Sequence, residues 1–145
     1  MIYTLKIKLP NPSDQNDWEY ITEVDGGCNL EDLHLIIQGA VEFDNDHMYE
    51  FYIANTAHSR ERKHFECDDQ IICNTTIESF IQTSRGKKMF YLFDYGDSWV
   101  FQVSKTRKKP FEAIANISYP NVISQSDFKP EQYPDWDDED DFEDD

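Results

Sequence analysis

Residues Phe90 to Lys105 read FYLFDYGDSWVFQVSK, and this stretch decides the fold. Two runs rich in aromatic and β-branched residues flank the segment DYGD at 94–97, which is the pattern of two strands joined by a short turn. Gly96 is the residue that can take a positive φ without a Cβ clash, and we expect it to do so in a bulged hairpin loop. Both faces of each run are apolar, so the hairpin is predicted to lie in the middle of a sheet that is covered on at least one side.

The periodicity of the remaining chain predicts the elements around this hairpin. Apolar and polar residues alternate over 2–9, 18–24 and 47–53, as expected of strands with one buried face. Apolar residues recur at helical spacing over 29–42 and 76–84. We therefore predict an α+β domain over residues 1–134: a largely antiparallel sheet of about five or six strands, with two helices packed on one face.

Helix boundaries are marked by capping residues. Asn29 with Asp32 forms a variant of the capping box, and Thr75 with Glu78 matches the box itself, so Asn29 and Thr75 are the predicted caps. Gly39 lies inside the first helix, where glycine costs about 1 kcal/mol relative to alanine, and we expect close backbone approach to explain it. The polar segment 55–74 is predicted to be an excursion with room for one short strand.

Charge is distributed unevenly along the chain. There are 30 acidic and 13 basic residues, and nine carboxylates fall in 135–145, which leaves a net charge of −8 for 1–134. We expect the acidic tail, 135–145, to be disordered in solution. An acidic body disfavours direct nucleic-acid binding, which needs a clustered basic footprint. The basic runs at 60–64 and 105–109 are interpreted as solvated turns, with local patches as the alternative.

Cysteine usage and hydropathy indicate the compartment. The three cysteines, Cys28, Cys67 and Cys73, are odd in number and form no CxxC pair, which argues against a disulfide framework and a thiolate zinc site. The N-terminus lacks the apolar run of a signal peptide, and no stretch approaches a membrane span. A cytoplasmic location is predicted.

Several motifs in order resemble the plasmid pRiA4b ORF-3-like family. They are the strand YTLKIKL (3–9), the helical LEDLH with IQ (30–38), HMYEF (47–51) and, most specifically, FDYGDSW (93–99). The resemblance covers most of 1–134 and implies a small α+β protein of plasmids, mobile elements or prokaryotic chromosomes. It implies no established activity.

The polar candidates flank the hairpin turn. Asp94 and Asp97 supply carboxylate oxygens of the kind that bind Mg²⁺ or Mn²⁺, and the alternative is that each accepts backbone N–H groups and shapes the loop. His47 joins them only if its loop meets the same edge of the sheet. Strand alternation points His47 and Glu50 to opposite faces, and His34 is interpreted as a packing residue.

Two functions follow from these observations. The first is a non-enzymatic binding or interaction module, an accessory protein of a mobile element. Its acidic tail either engages a basic protein partner or serves only to keep the protein in solution. The alternative is a metal-dependent hydrolase of phosphate esters, with Asp94 and Asp97 as metal ligands and His47 assisting. The sequence contains neither a nucleophile motif nor a glycine-rich phosphate-binding loop. It therefore does not predict whether the chain is an enzyme.

Overall fold

The computed structural model describes residues 1–9, 17–66, 70–96 and 98–130, which form one seven-stranded sheet and three helices. In chain order the elements are β1 (Ile2–Leu9), β2 (Trp18–Asp25), α1 (Leu30–Val41), β3 (Tyr49–Ala54), β4 (Lys63–Glu66), α2 (Ile71–Asn74), α3 (Ile77–Ser84), β5 (Lys88–Phe93), β6 (Trp99–Lys105) and β7 (Asn121–Gln125).

The sheet has the strand order β4-β3-β5-β6-β1-β2-β7, and every neighbouring pair is antiparallel. The predicted α+β class is confirmed, but the predicted number of strands and helices is too low. The unpredicted strand, β7, is mostly exposed, so its side chains show no burial alternation. The unpredicted helix, α2, has four residues, which is too short for a helical period to be recognised.

The central hairpin occupies the middle of the sheet, as its two apolar faces predict. Tyr91 of β5 lies opposite Phe101 of β6, and both are fully buried on the face that packs against the helices. On the opposite face, here called the outer face, Tyr52, Ala54 and Phe90 form a second, smaller apolar cluster. The hairpin therefore contributes to two cores.

The main core lies between the sheet and the helices α1 and α3. Leu33 and Ile37 of α1, with Ile77 and Phe80 of α3, are completely buried. They pack in one cluster with the inward residues of the strands, which include Phe51. Burying a side chain of this size removes it from water at a gain of about 1.5–3 kcal/mol, so this layer holds the two helices on the sheet.

The helix caps agree in part with prediction. Asn29 caps α1, and both hydrogen bonds of the capping box with Asp32 are present. The cap of α3 is Thr76, whose hydroxyl accepts from the Ser79 N–H, so the prediction of Thr75 is wrong by one residue. The Thr75 carbonyl instead accepts a hydrogen bond from the Leu30 N–H.

The expectation for Gly39 is wrong. This residue is exposed, and a Cβ built on it would meet nothing within 4 Å. Close approach is found at Gly26, where a Cβ would lie 2.6 Å from the Tyr3 ring.

Two sequence expectations fall outside the described residues. They are the disorder of the tail 135–145 and the position of Asp97 beside Asp94. The excursion 55–74 contains β4, the short strand for which it had room, together with α2.

Candidate functional site

Asp94 builds the turn between β5 and β6. It is buried, with φ of 66° in the left-handed region. Its Oδ1 accepts a hydrogen bond from the Gly96 N–H at 3.1 Å, and its carbonyl accepts one from the Ser98 N–H at 2.6 Å. Aspartate tolerates the left-handed conformation better than most residues because its short carboxylate bonds the nearby backbone. These contacts are those of the loop-shaping alternative.

The structure brings His47 to the same turn. Its Nε2 lies 3.4 Å from Asp94 Oδ2 and 3.4 Å from Asp46 Oδ1. The reason is the pairing of β3 with β5, in which Tyr49 lies opposite Phe93 and the Asp94 N–H donates to the Met48 carbonyl at 2.9 Å. The start of β3 and the end of β5 therefore lie at one edge of the sheet, which was the condition for His47 and Asp94 to act together.

Among the described residues, no three ligand-type side chains at this turn place their ligand atoms within 4.8 Å of one another. The group of three ligand-type side chains that does meet consists of Glu50, His64 and Glu66, on the outer face of the sheet. Glu50 points away from His47, toward His64. The metal role assigned to Asp94 and Asp97 stays a prediction.

His34 is a packing residue within a buried polar network. Its Nδ1 lies 2.6 Å from the Tyr91 hydroxyl and its Nε2 lies 2.9 Å from Asn45 Oδ1, while its ring stacks on Tyr49 with 3.6 Å between centroids. Gln38 donates to the same Tyr91 hydroxyl. Burial lowers the pKa of His34 to about 4, so the imidazole is neutral at pH 7.

A cavity of about 580 Å³ lies at the opposite end of the sheet, where β5 begins and β6 ends. Four cationic residues line it: Arg85, Lys87, Lys88 and Lys105. No carboxylate is among its lining residues in the described chain. Four of the 13 basic residues of a chain with net charge −17 therefore converge on one concave surface. We call this the basic groove.

A second cavity, of about 430 Å³, continues the basic groove toward β4. It shares Ser84, Arg85 and Lys87 with the first, and it adds Arg62, Lys63 and one carboxylate, Glu61. Arg62 is already engaged: its guanidinium lies 4.2 Å from the centroid of the Tyr52 ring and donates to two carbonyls of its own loop. Because Arg62 is engaged, we expect the two cationic side chains that line both cavities, Arg85 and Lys87, to contact a ligand.

Two further observations distinguish the cations of the basic groove. The Lys ion pairs of the described residues use Lys6, Lys8, Lys108 and Lys129, which lie elsewhere. Arg85 has φ of 26°, in the region that favours glycine. Arg85 is the C-cap of α3, a position at which helices commonly end with positive φ, so the end of this helix positions its side chain.

Sequence reasoning missed the basic groove because its parts are scattered. The runs at 60–64 and 105–109 are visible separately, whereas Arg85, Lys87 and Lys88 only mark the end of a helix. The pairing of β5 with β6, with Met89 opposite Val103, brings 85–88 next to Lys105. The pairing of β3 with both β4 and β5 brings the 60–64 run to the same end of the sheet. Long-range pairing of this kind leaves no local signal in the sequence.

Comparisons with known proteins address the family and the fold. The family model for the plasmid pRiA4b ORF-3-like protein matches residues 1–137. A crystal structure of a protein of unknown function, MM3350 from Methanosarcina mazei Go1, superposes with a TM-score of 0.69 at 18% identity. That match covers 86% of this chain and 68% of the archaeal one, and it shows the fold. A comparison with curated proteins found no match.

Among the helices of the described residues, none combines the length and the apolar character that crossing a membrane would require.

Proposed function

The chain belongs to the plasmid pRiA4b ORF-3-like family, and from its structure we propose that it is a binding module for a small phosphate-bearing ligand. The observation that carries the proposal is the basic groove, in which Arg85, Lys87, Lys88 and Lys105 line a cavity of about 580 Å³. That volume lies within the range of small-molecule sites, about 300–1,000 Å³. Fixed cations in a concave surface concentrate anions.

Electrostatics restrict the size of the ligand. The body of the protein has a net charge of −8 over residues 1–134, so a long polyanion that left the basic groove would be repelled. A ligand with two or three phosphates is long enough to pair with the four cations of the first cavity, which no described carboxylate lines. Gln102 and Ser104 line the same cavity and supply neutral hydrogen-bonding groups for its phosphate or sugar oxygens.

Arg85 is the residue placed to anchor the ligand. Its guanidinium can bind a phosphate through two parallel hydrogen bonds, which lysine cannot do. Its strained backbone fixes the start of the side chain at the junction of both cavities.

The proposal is tested by calorimetric titration of the full chain with pyrophosphate and with ATP, each without metal. We expect binding that weakens as salt is raised. The Lys87→Gln, Lys88→Gln double variant is expected to lose at least tenfold in affinity. The matched control is Lys129→Gln, because Lys129 lies against the C-terminal end of α1, and this variant is expected to bind as wild type.

Arg85→Gly separates binding from folding. Glycine relieves the positive φ at this position, so the variant is expected to keep or raise the melting temperature while losing affinity. A variant that binds as tightly as wild type would remove Arg85 from the site. Absence of binding of either phosphate compound to the wild type would overturn the proposal, and equally tight binding of a DNA duplex would replace it by a nucleic-acid interface.

The protein partner and the mobile-element role predicted from the sequence are separate proposals. The family resemblance supports the mobile-element role, and the nine carboxylates of 135–145 support a basic partner.

A further inference from the structure

A second polar cluster lies on the outer face of the sheet, away from the basic groove and from the His47 turn. It consists of Glu50 on β3 with His64 and Glu66 on the edge strand β4. The antiparallel register places Glu50 directly opposite Glu66, and His64 two residues away on the same face. One ligand atom from each residue lies within 4.8 Å of the other two.

This arrangement is costly in the absence of a cation. Like charges directly opposite each other on neighbouring strands destabilise the pair. Glu50 is only 6% exposed, and a buried carboxylate needs a compensating charge or a full set of hydrogen bonds. The compensating contact in the described residues is His64, whose Nδ1 lies 2.9 Å from Glu50 Oε1.

We propose that Glu50, His64 and Glu66 bind Zn²⁺. Bonds of about 2.0–2.2 Å in a tetrahedral zinc site place neighbouring ligand atoms about 3.4 Å apart. The 2.9 Å between His64 Nδ1 and Glu50 Oε1 approaches that separation, so the ion would replace the shared proton with small movements of the exposed His64 and Glu66 side chains.

The chemistry of the donors selects the metal. One imidazole nitrogen with two carboxylate oxygens suits zinc, whereas Mg²⁺ and Ca²⁺ prefer oxygen ligands alone. Three protein ligands leave the fourth tetrahedral position to water. Since β4 is a four-residue edge strand, the ion would also fasten it to β3.

The test uses the full chain with zinc and cobalt ions as probes. Zn²⁺ is expected to raise the melting temperature, because an ion that binds only the folded state stabilises it by mass action. Mg²⁺ is expected to have no comparable effect. Co²⁺ is expected to give the visible absorption of a tetrahedral site without a thiolate charge-transfer band. Absence of that band excludes binding by any of the three cysteines, Cys28, Cys67 and Cys73.

The variants locate the site. His64→Ala and Glu66→Gln are expected to abolish or strongly weaken the cobalt spectrum and the zinc-induced shift. His58→Ala is the matched control, since His58 is exposed and lies outside the cluster, and it is expected to behave as wild type. His47→Ala tests the Asp94 turn, the other place where a metal is predicted, and it is expected to keep the zinc-induced shift. Zinc binding that survives both His64→Ala and Glu66→Gln would overturn the proposal. Loss with His47→Ala alone would place the metal at the Asp94 turn instead.

Discussion

His34 shows how a single buried residue makes the fold sensitive to pH. The Tyr91 hydroxyl donates to its Nδ1 and its Nε2–H donates to Asn45, so the network is complete only while the imidazole is neutral. The pKa of His34 is about 4 in the folded state, below the ordinary value of 6.5. Between these values the unfolded chain binds more protons, so the stability contributed by His34 is present above pH 6.5 and is lost as the pH falls toward 4.

The prediction concerns the difference between wild type and His34→Gln. Glutamine cannot acquire the charge, and the many carboxylates titrate in both proteins and cancel in the comparison. Urea denaturation at several pH values is expected to show wild type losing its advantage over the variant between pH 6.5 and 4. A difference that stays constant across this range would show that protonation of His34 does not oppose folding.

Asp94 provides a second prediction at the scale of the residue. Asp94→Ala removes the acceptor of the Gly96 N–H and places a side chain that cannot bond the backbone at φ of 66°. We expect a loss of about 1–3 kcal/mol in the free energy of unfolding. Asp94→Asn keeps an oxygen for this bond and tolerates the conformation, so it is expected to cost less. Equal losses in the two variants, measured by urea denaturation, would assign the effect to charge rather than to loop geometry.

At the scale of the element, helix α1 contains a correctable defect. Gly39 is exposed, and a Cβ there would meet no atom within 4 Å. Gly39→Ala is therefore expected to raise the free energy of unfolding by about 0.5–1 kcal/mol, because alanine loses less backbone entropy on folding. Gly26→Ala is the contrasting variant, since its Cβ would overlap the Tyr3 ring, and it is expected to destabilise. If Gly39→Ala destabilises as well, an interaction of this helix face that needs the bare backbone must exist.

The elements also show what the sequence can predict and where local reasoning stops. The central hairpin and the helix α1 have strong periods and a capping box, and both were predictable. The cap of α3 was placed one residue early because Thr75 and Thr76 both precede the helix, and the hydrogen bond from the Ser79 N–H to the Thr76 hydroxyl identifies Thr76 as the cap. The strand β7 pairs with β2, which lies about 100 residues earlier in the chain, with Thr22 opposite Val122. A local sequence pattern therefore does not predict β7.

The candidate sites also differ in how far the sequence predicts them. From the sequence, Asp94 and His47 meet only if their loops lie at one edge of the sheet, and the pairing of Tyr49 with Phe93 fulfils that condition. The cluster of Glu50, His64 and Glu66 depends on the register of β4 against β3, and β4 lies in a segment with little periodicity. The basic groove depends on four residues from two segments that are about 20 residues apart, 85–88 and 105. Residue types can be recognised in a sequence, but such convergence is a property of the folded chain.

The molecule as a whole separates its charges. The chain has a net charge of −17, yet Arg85, Lys87, Lys88 and Lys105 gather at one end of the sheet, opposite the His47 turn. Charge separated in this way directs a small anion to one surface and repels it from the rest of the protein. We therefore propose the basic groove as the ligand site.

The most direct measurement is a series of amide proton–nitrogen correlation spectra of the full chain during titration with pyrophosphate. We expect saturable chemical-shift changes confined to the amides of residues 84–88 and 102–105, which line the basic groove. The shifts are expected to be absent in the Lys87→Gln, Lys88→Gln variant. Shifts centred instead on the turn at Asp94, or the absence of saturable shifts at any concentration, would contradict the claim.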